Sequence, residues 1–427
     1  MRWVGVAAAV LLVGGVVAGG VGVSMARSFP AAPGGELAAA RAADPDRVLV
    51  AVAAGSSGTV AADALAPYAV FAASDRFAVR VVAETLAPVT FSGGLHVVPD
   101  TTFTGLDRAP DVVVVPAVVD WNGPREAALR TWVAAQAARG AVVLGVCAGA
   151  KMLAAAGVLD GRSATTFWSA LPDMRSDYPR TSWLAGKRYV EDGPVVTTAG
   201  VTSGVVGALR VVERLAGPAE ADAVGRRVAY PGWSRTGSLD IEAHSYAPAD
   251  LPYALNAAFP WGRPTTGVAV PDGVDELALA AVLETHSGSS FAATTVPVAP
   301  ADRTTTRHGL RLLPSRTTDL TRLIAFDSAL DGWAAAHGVP VTRLAVAAGE
   351  SPFDAALRDL AATGDRATAR AAATFTEYPA GHLALSGPAW PWRPTALLVL
   401  TLLAATGVAV LLSCLHHLPL VDRGASR

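Results

Sequence analysis

The sequence predicts an α/β fold, a parallel sheet sandwiched by helices, and three observations carry that reading. Short valine-rich runs alternate with helical stretches between residues 47 and 215, the pattern of a parallel sheet covered on both faces. One run, residues 111–116, holds four consecutive valines and so reads as a strand buried on both sides. Another, residues 141–146, runs into Cys147-Ala148-Gly149-Ala150, a strand that turns sharply into a helix.

The elements follow in order. Residues 47–53 form an apolar strand ending at Gly55-Ser56-Ser57-Gly58. Residues 63–73 have helical spacing, 77–83 alternate like a strand, and 91–98 suggest a strand pair about Gly93-Gly94. A helix over 124–139 opens on proline. The strand 141–146, the cysteine turn and a helix over 149–156 come next, closed by Gly157-Val158-Leu159-Asp160-Gly161. A strand over 195–199 and a helix over 203–215, opened by Ser203, complete the unit. Ligands of such sheets bind beyond the carboxyl ends of the strands. Segments 55–63, 116–122 and 147–150 are therefore expected on one rim.

Residues 218–264 are irregular and rich in Pro, Gly and Trp, and read as a linker with a β element or two. The strand–helix pattern restarts at Gly267, and 265–382 read as a degenerate second copy of the first unit. The domain plan is thus an N-terminal anchor or signal peptide (1–26), a tether (27–46), the main unit (47–217), the linker (218–264), the second copy (265–382), a C-terminal transmembrane helix (394–415) and a cytoplasmic tail (416–427).

Mean hydropathy is +0.38, and two uncharged segments, 4–23 and 395–415, account for much of it. Each is long enough to cross a ~30 Å hydrocarbon core as a helix. The first is an uncleaved anchor, or a signal peptide with Ser24-Met25-Ala26 as its cleavage site. Trp390 and Trp392 fall where an interfacial aromatic belt belongs, and Arg2, Arg423 and Arg427 place both termini in the cytoplasm. The expected location is the cell membrane, with the bulk of the chain on the extracytoplasmic side. Formal net charge is −2 with no basic block, which implies no nucleic-acid partner. The two cysteines, Cys147 and Cys414, fall on different sides of that topology, so no disulfide is expected. His416-His417 reads as an interfacial pair.

A cysteine at a helix start tends toward a thiolate, because unpaired N–H groups and a partial positive charge gather there. The alternative is a small buried cysteine filling a strand end. Asp240, Glu242 and His244 alternate as on one strand face; that spacing suits an exposed strand face better than a metal site. There is no phosphate loop, dinucleotide fingerprint or zinc-protease motif. No cofactor and no metal are expected.

Four stretches in order resemble the ThiJ/PfpI family, the Parkinson-associated deglycase relatives within the class I glutamine amidotransferase-like superfamily. They are 63–71, with Asp63, Pro67 and Phe71; the elbow 143–150 about Cys147; 153–166, ending in Thr165-Thr166; and 197–204, Thr-Thr-Ala-Gly-Val-Thr-Ser-Gly. The likeness covers 47–217 and is nearest the sensor-like domains of transcription regulators, without their helix-turn-helix region. It implies a flavodoxin-like sandwich and a nucleophile elbow in which Cys147 is the reactive residue and Asp63 the acid facing it. Backbone N–H groups of Ala148 and Gly149 would stabilise an oxyanion. It also implies a small-molecule ligand or substrate and, by analogy, a homodimer.

Two departures stand out. Phe167, followed by Trp168, occupies the place where the family commonly has histidine, so the usual imidazole base is missing. Lys151, four residues after the cysteine, replaces an apolar residue and would lower the thiol pKa or lie solvated. Lys151, Phe167 and Trp168 are pocket candidates. In the second copy Ala278 stands where Asp63 does and no cysteine follows the strand 341–347, so that copy reads as catalytically empty and packed on the first. The expected function is a cysteine-dependent hydrolase or lyase acting on a small electrophile (a carbonyl, amide or isonitrile). The alternative is a ligand-sensing or scaffold domain without turnover.

Overall fold

In a computed structural model, which describes residues 2–35 and 45–415, a seven-stranded sheet forms the first unit. Its order is Tyr189–Asp192, Val195–Thr198, Val142–Gly145, Val112–Val115, Val48–Ala53, Phe77–Ala83, Thr101–Thr102. All neighbours run parallel except the edge strand Tyr189–Asp192. The four-valine strand Val112–Val115 is buried along its length, as a central strand with helices on both faces must be. The helix Ala61–Ala72 and the helix Ser203–Ala216 cover one face, and Ala127–Ala138 and Gly149–Ala155 the other. This is the α/β sandwich the alternation predicts, in the flavodoxin-like form the resemblance implies. The helix foreseen over 124–139 opens as a 3₁₀ turn, Pro124–Glu126, before Ala127–Ala138.

The segment 218–264 differs from its reading. It contains two helices, Pro218–Val228 and Leu251–Ala258. The only β element described there is a single bridge from Asp240 to Lys187. Proline starts both helices, at a position where its missing N–H costs nothing.

Residues 265–382 build a four-stranded parallel sheet in the order Thr294–Val298, Thr265–Ala269, Arg322–Ala325, Val341–Arg343. Its helix Glu276–Leu283 packs on the first unit's Ala61–Ala72, and one continuous apolar core includes residues of both units. A small antiparallel sheet also crosses the junction: Arg311 and Leu312 pair with Val98 and Val97. The helix Pro352–Thr363 and the helix Arg366–Thr376 close this side.

The two terminal apolar segments are helices, Arg2–Ser28 and Trp392–Leu415, packed side by side, and each is long and apolar enough to cross a membrane. Leu255, Ala258 and Phe259 join Val16, Val17, Trp390, Leu397 and Leu398 in a separate cluster at their base. The tether reading (27–46) lies partly, and the tail 416–427 with His416-His417 wholly, outside the described residues.

Candidate functional site

The strand Val142–Gly145 and the helix Gly149–Ala155 are joined through Cys147, whose backbone is left-handed at φ 53°. For a non-glycine residue that conformation costs roughly 1–3 kcal/mol and persists only where neighbours enforce it. Here they are threonines. The Cys147 N–H donates to Thr198 Oγ1 at 3.2 Å, and Thr166 Oγ1 donates to the Cys147 carbonyl at 2.9 Å. The Thr165 N–H in turn holds Thr197 Oγ1 at 2.9 Å. Thr165-Thr166 and Thr197-Thr198 thus both serve to clamp the elbow. Gly149 is required for a different reason: a Cβ there would stand 2.0 Å from the Val115 carbonyl oxygen.

The backbone donors are more committed than the sequence suggests. The Gly149 N–H is engaged by the Val146 carbonyl at 2.7 Å, and the Ala148 N–H points at the Cys147 sulfur itself. Of the two expected oxyanion donors, Gly149 is therefore occupied, and Ala148 serves the nucleophile.

Asp63 sits in the first turn of Ala61–Ala72 but does not cap it. Its Oδ2 reaches across the fold to accept the Ala117 N–H at 3.1 Å. Oδ1 is buried without a hydrogen-bond partner. Burial, reinforced by the nearby Glu284 charge and opposed by the Ala117 bond, raises its pKa well above the ordinary carboxylate range. Burial thus favours the protonated form of this carboxyl.

Two further carboxyls, both from the second unit, reach this region. Glu284 begins a π-helical turn, Glu284–Gly288, and burial lifts it to about 7 against a bond from Ser289. Its Oε2 is buried and unpartnered. Glu377 follows the helix Arg366–Thr376 at φ 53° and is likewise raised to about 7, by burial. Its Oε2 accepts the Gly200 N–H at 2.6 Å and lies 3.4 Å from Ser203 Oγ.

These charges overturn the expected thiolate. Burial, then Asp63, then Glu377 push the Cys147 thiol well above its usual range; the Ala148 N–H opposes them, and Glu284 adds least. A helix of seven residues cannot outweigh three buried acids. The second unit, read as catalytically empty, thus sets much of the electrostatics at the cysteine. No spacing or motif announces Glu284 or Glu377; Gly200, inside a resembling stretch, was the available signal.

The pocket candidates fall on two sides. The Lys151 ammonium lies 4.6 Å from the centre of the Trp121 ring. Burial lowers its pKa, and Asp173 is its principal charge partner, ahead of Cys147. Phe167 packs on Trp168, with ring centres 5.1 Å apart, and on Phe375 of the second unit at 6.2 Å. Trp168 is buried and meets His244 edge-on at 4.4 Å. His244 pairs with Asp250 at 3.0 Å and Asp240 with Lys187, so the alternating trio 240/242/244 is not a common strand face. Among the described residues no His/Cys/Asp/Glu group is arranged to hold a metal.

The open mouth expected at the pair is replaced by burial: Cys147 is 7% exposed and Asp63 0%. Two cavities carry acids of this region on their walls. One, of about 740 Å³, is lined by Arg188, His244, Arg370 and Glu377 among others. The other, of about 200 Å³, is walled by Val60, Val118, Tyr253, Phe291 and Glu284 together with Met25 and Phe29. Cys147 lies in neither wall, and each wall carries one of the second unit's acids.

The known proteins similar to this chain match it over the first unit. Residues 46–214 match the DJ-1/PfpI family. Isonitrile hydratase of Pseudomonas putida is 36% identical over 171 residues, which are 39% of this chain and 72% of that protein. Protein dj-1beta of Drosophila melanogaster is 31% identical over 147 residues, 33% of this chain and 77% of that one. The HTH-type transcriptional regulator CdhR of Pseudomonas aeruginosa is 30% identical over 145 residues, 34% of this chain but only 43% of the regulator. A solved ThiJ/PfpI family protein from Pseudomonas syringae shares 28% identity, with a TM-score of 0.40 over 46% of this chain and 82% of that one. With the family match over 46–214 and a relative 36% identical over 72% of its length, the chain belongs to the DJ-1/PfpI family.

Proposed function

We propose that the first unit is a thiol-dependent enzyme that adds Cys147 to a small uncharged electrophile and returns the product by hydration or hydrolysis. The observation that carries this reading is the setting of Asp63: a fully buried carboxyl with one unpartnered oxygen, where burial favours the protonated form, near a cysteine on a strained elbow. In a dry site, separated charge is expensive. A neutral thiol and a neutral acid exchange protons without creating any. The sulfur–carbon bond forms as the S–H bond breaks; Asp63 gives its proton to the substrate and takes the thiol's. An isonitrile, the substrate class named by the relative from Pseudomonas putida, fits such a site because its carbon accepts both sulfur and proton.

The test is turnover of an aryl isonitrile to its formamide, followed by mass spectrometry, with a dicarbonyl as the second probe. Cys147→Ala is expected to abolish it, and Asp63→Asn to slow it ~100-fold or more. Unchanged turnover in Cys147→Ala would sink the proposal.

A ligand-sensing role is the second reading. The burial of Cys147 behind both cavities favours it, and regulators are among the similar proteins. Tight binding of a probe without turnover or adduct would establish that reading instead.

We also propose that the two terminal helices hold the chain in a membrane, with both termini cytoplasmic. In support, the would-be cleavage segment Ser24-Met25-Ala26 continues a helix, and the buried Ser24 donates to the Ala257 carbonyl at 2.7 Å. A reporter fused after Arg427 is expected in the cytoplasm; an external signal would reverse the orientation.

A further inference from the structure

Phe167 follows the Thr165-Thr166 pair and packs against Phe375, so no imidazole stands at that place. A nucleophile that forms a covalent adduct still needs a base to activate the water that releases it. The structure places one candidate there from outside the first unit.

Glu377 is held with unusual care. It is one of four non-glycine residues with a left-handed backbone among the described residues, and Cys147 is another. Thr202 fixes its backbone, donating Oγ1 to the carbonyls of Thr376 at 3.0 Å and Glu377 at 3.1 Å. The Gly200 N–H holds its Oε2. Gly200 also leaves the room, since a Cβ there would stand 2.8 Å from Glu377 Cδ and Cγ and 2.9 Å from its Cβ. The carboxylate is therefore locked over the Thr-Thr-Ala-Gly turn that clamps Cys147. It also lines the 740 Å³ cavity.

We propose that Glu377, contributed by the second unit, is the general base of the Cys147 site. The inference rests on the thiol-addition reading above. With an isonitrile, addition leaves R–N=CH–S–Cys147. Water attacks that carbon; Glu377 takes one water proton and the nitrogen takes the Asp63 proton. The R–NH–CH(OH)–S–Cys147 so formed then collapses. Its hydroxyl proton returns to Asp63, the carbon–sulfur bond breaks, and sulfur takes the proton from Glu377. The product is R–NH–CHO, and every group is restored.

The experiment follows the covalent adduct of the full chain in detergent by intact mass, after mixing with an aryl isonitrile. In Glu377→Gln the adduct is expected to form within about 3-fold of the wild-type rate and to release at least ~100-fold more slowly, so that it accumulates. A purely structural role would slow both steps together. Release at the wild-type rate, or equal slowing of both steps, would overturn the role of Glu377 while leaving Cys147 chemistry intact. Absence of adduct in wild type as well as variant would overturn the addition reading and this inference with it. Circular dichroism and thermal melting of Glu377→Gln establish that it is folded.

Discussion

Gly200 and Glu377 stand 177 residues apart in the chain, yet the N–H of one holds the carboxylate of the other at 2.6 Å. The contact exists only because Gly200 has no side chain. Its backbone is not left-handed, so alanine is conformationally acceptable there and its effect is steric.

Gly200→Ala is therefore expected to displace the Glu377 carboxylate while the sheet stays folded. Release of a Cys147 adduct should slow by roughly 10-fold or more. Intact-mass kinetics beside a thermal melt check the outcome.

The thiol should report its acids in order. Alkylation of Cys147 by iodoacetamide is expected to have an apparent pKa above the ~8.5 of a free thiol. At the pH where the thiol titrates, the carboxyls raised to about 7 are ionised, so removing one lowers the thiol pKa. Asp63→Asn should lower it most, Glu377→Gln less and Glu284→Gln least. The pH dependence of the alkylation rate tests the ranking, and an unmoved midpoint in Asp63→Asn would refute it.

Glu284 makes a prediction about stability. Its folded-state pKa, about 7, lies above the ordinary 4.5. Such a group contributes stability that is fully present below the unfolded value and is lost as pH rises through the folded one. The difference of roughly 2–3 pH units corresponds to about 3 kcal/mol for this fully buried carboxyl. Glu284→Gln should gain on wild type between pH 5 and pH 8, measured by denaturant melts at each pH. A constant offset across that window would contradict the assignment.

The N-terminal helix is expected to stay attached. Gly20 packs so closely that a Cβ would stand 1.8 Å from the Ala258 carbonyl oxygen, and Arg263 donates to Ser24 Oγ at 2.8 Å. Purified protein should retain residues 1–26 by intact mass. Gly20→Leu should unseat the helix and cost about 1–3 kcal/mol in a thermal melt.

Much of the first unit was legible because its signals are local. Val112–Val115 betrays a doubly covered strand by composition, and Cys147 marks its own turn by following an apolar run and preceding glycine. The Asp63–Ala117 bond was not legible, since it depends on how a helix and a distant loop meet. The helices within 218–264 were obscured by their prolines and tryptophans, which read as irregular until Gly225 is seen to admit the Trp233 ring. Glu284 and Glu377 were hidden for a deeper reason. Their chemistry comes from burial by another unit, and a lone glutamate in sequence carries no sign of that.

The pairing of Arg311 and Leu312 with Val98 and Val97 bears on how the protein is to be handled. A fragment cut at the end of the family match would strip a neighbour from the strand Leu95–Val98 and bare the outward side of Ala61–Ala72. Naked strand margins and uncovered apolar helices drive self-association. The excised piece should therefore precipitate, and the two α/β units are best regarded as one cooperative folding body.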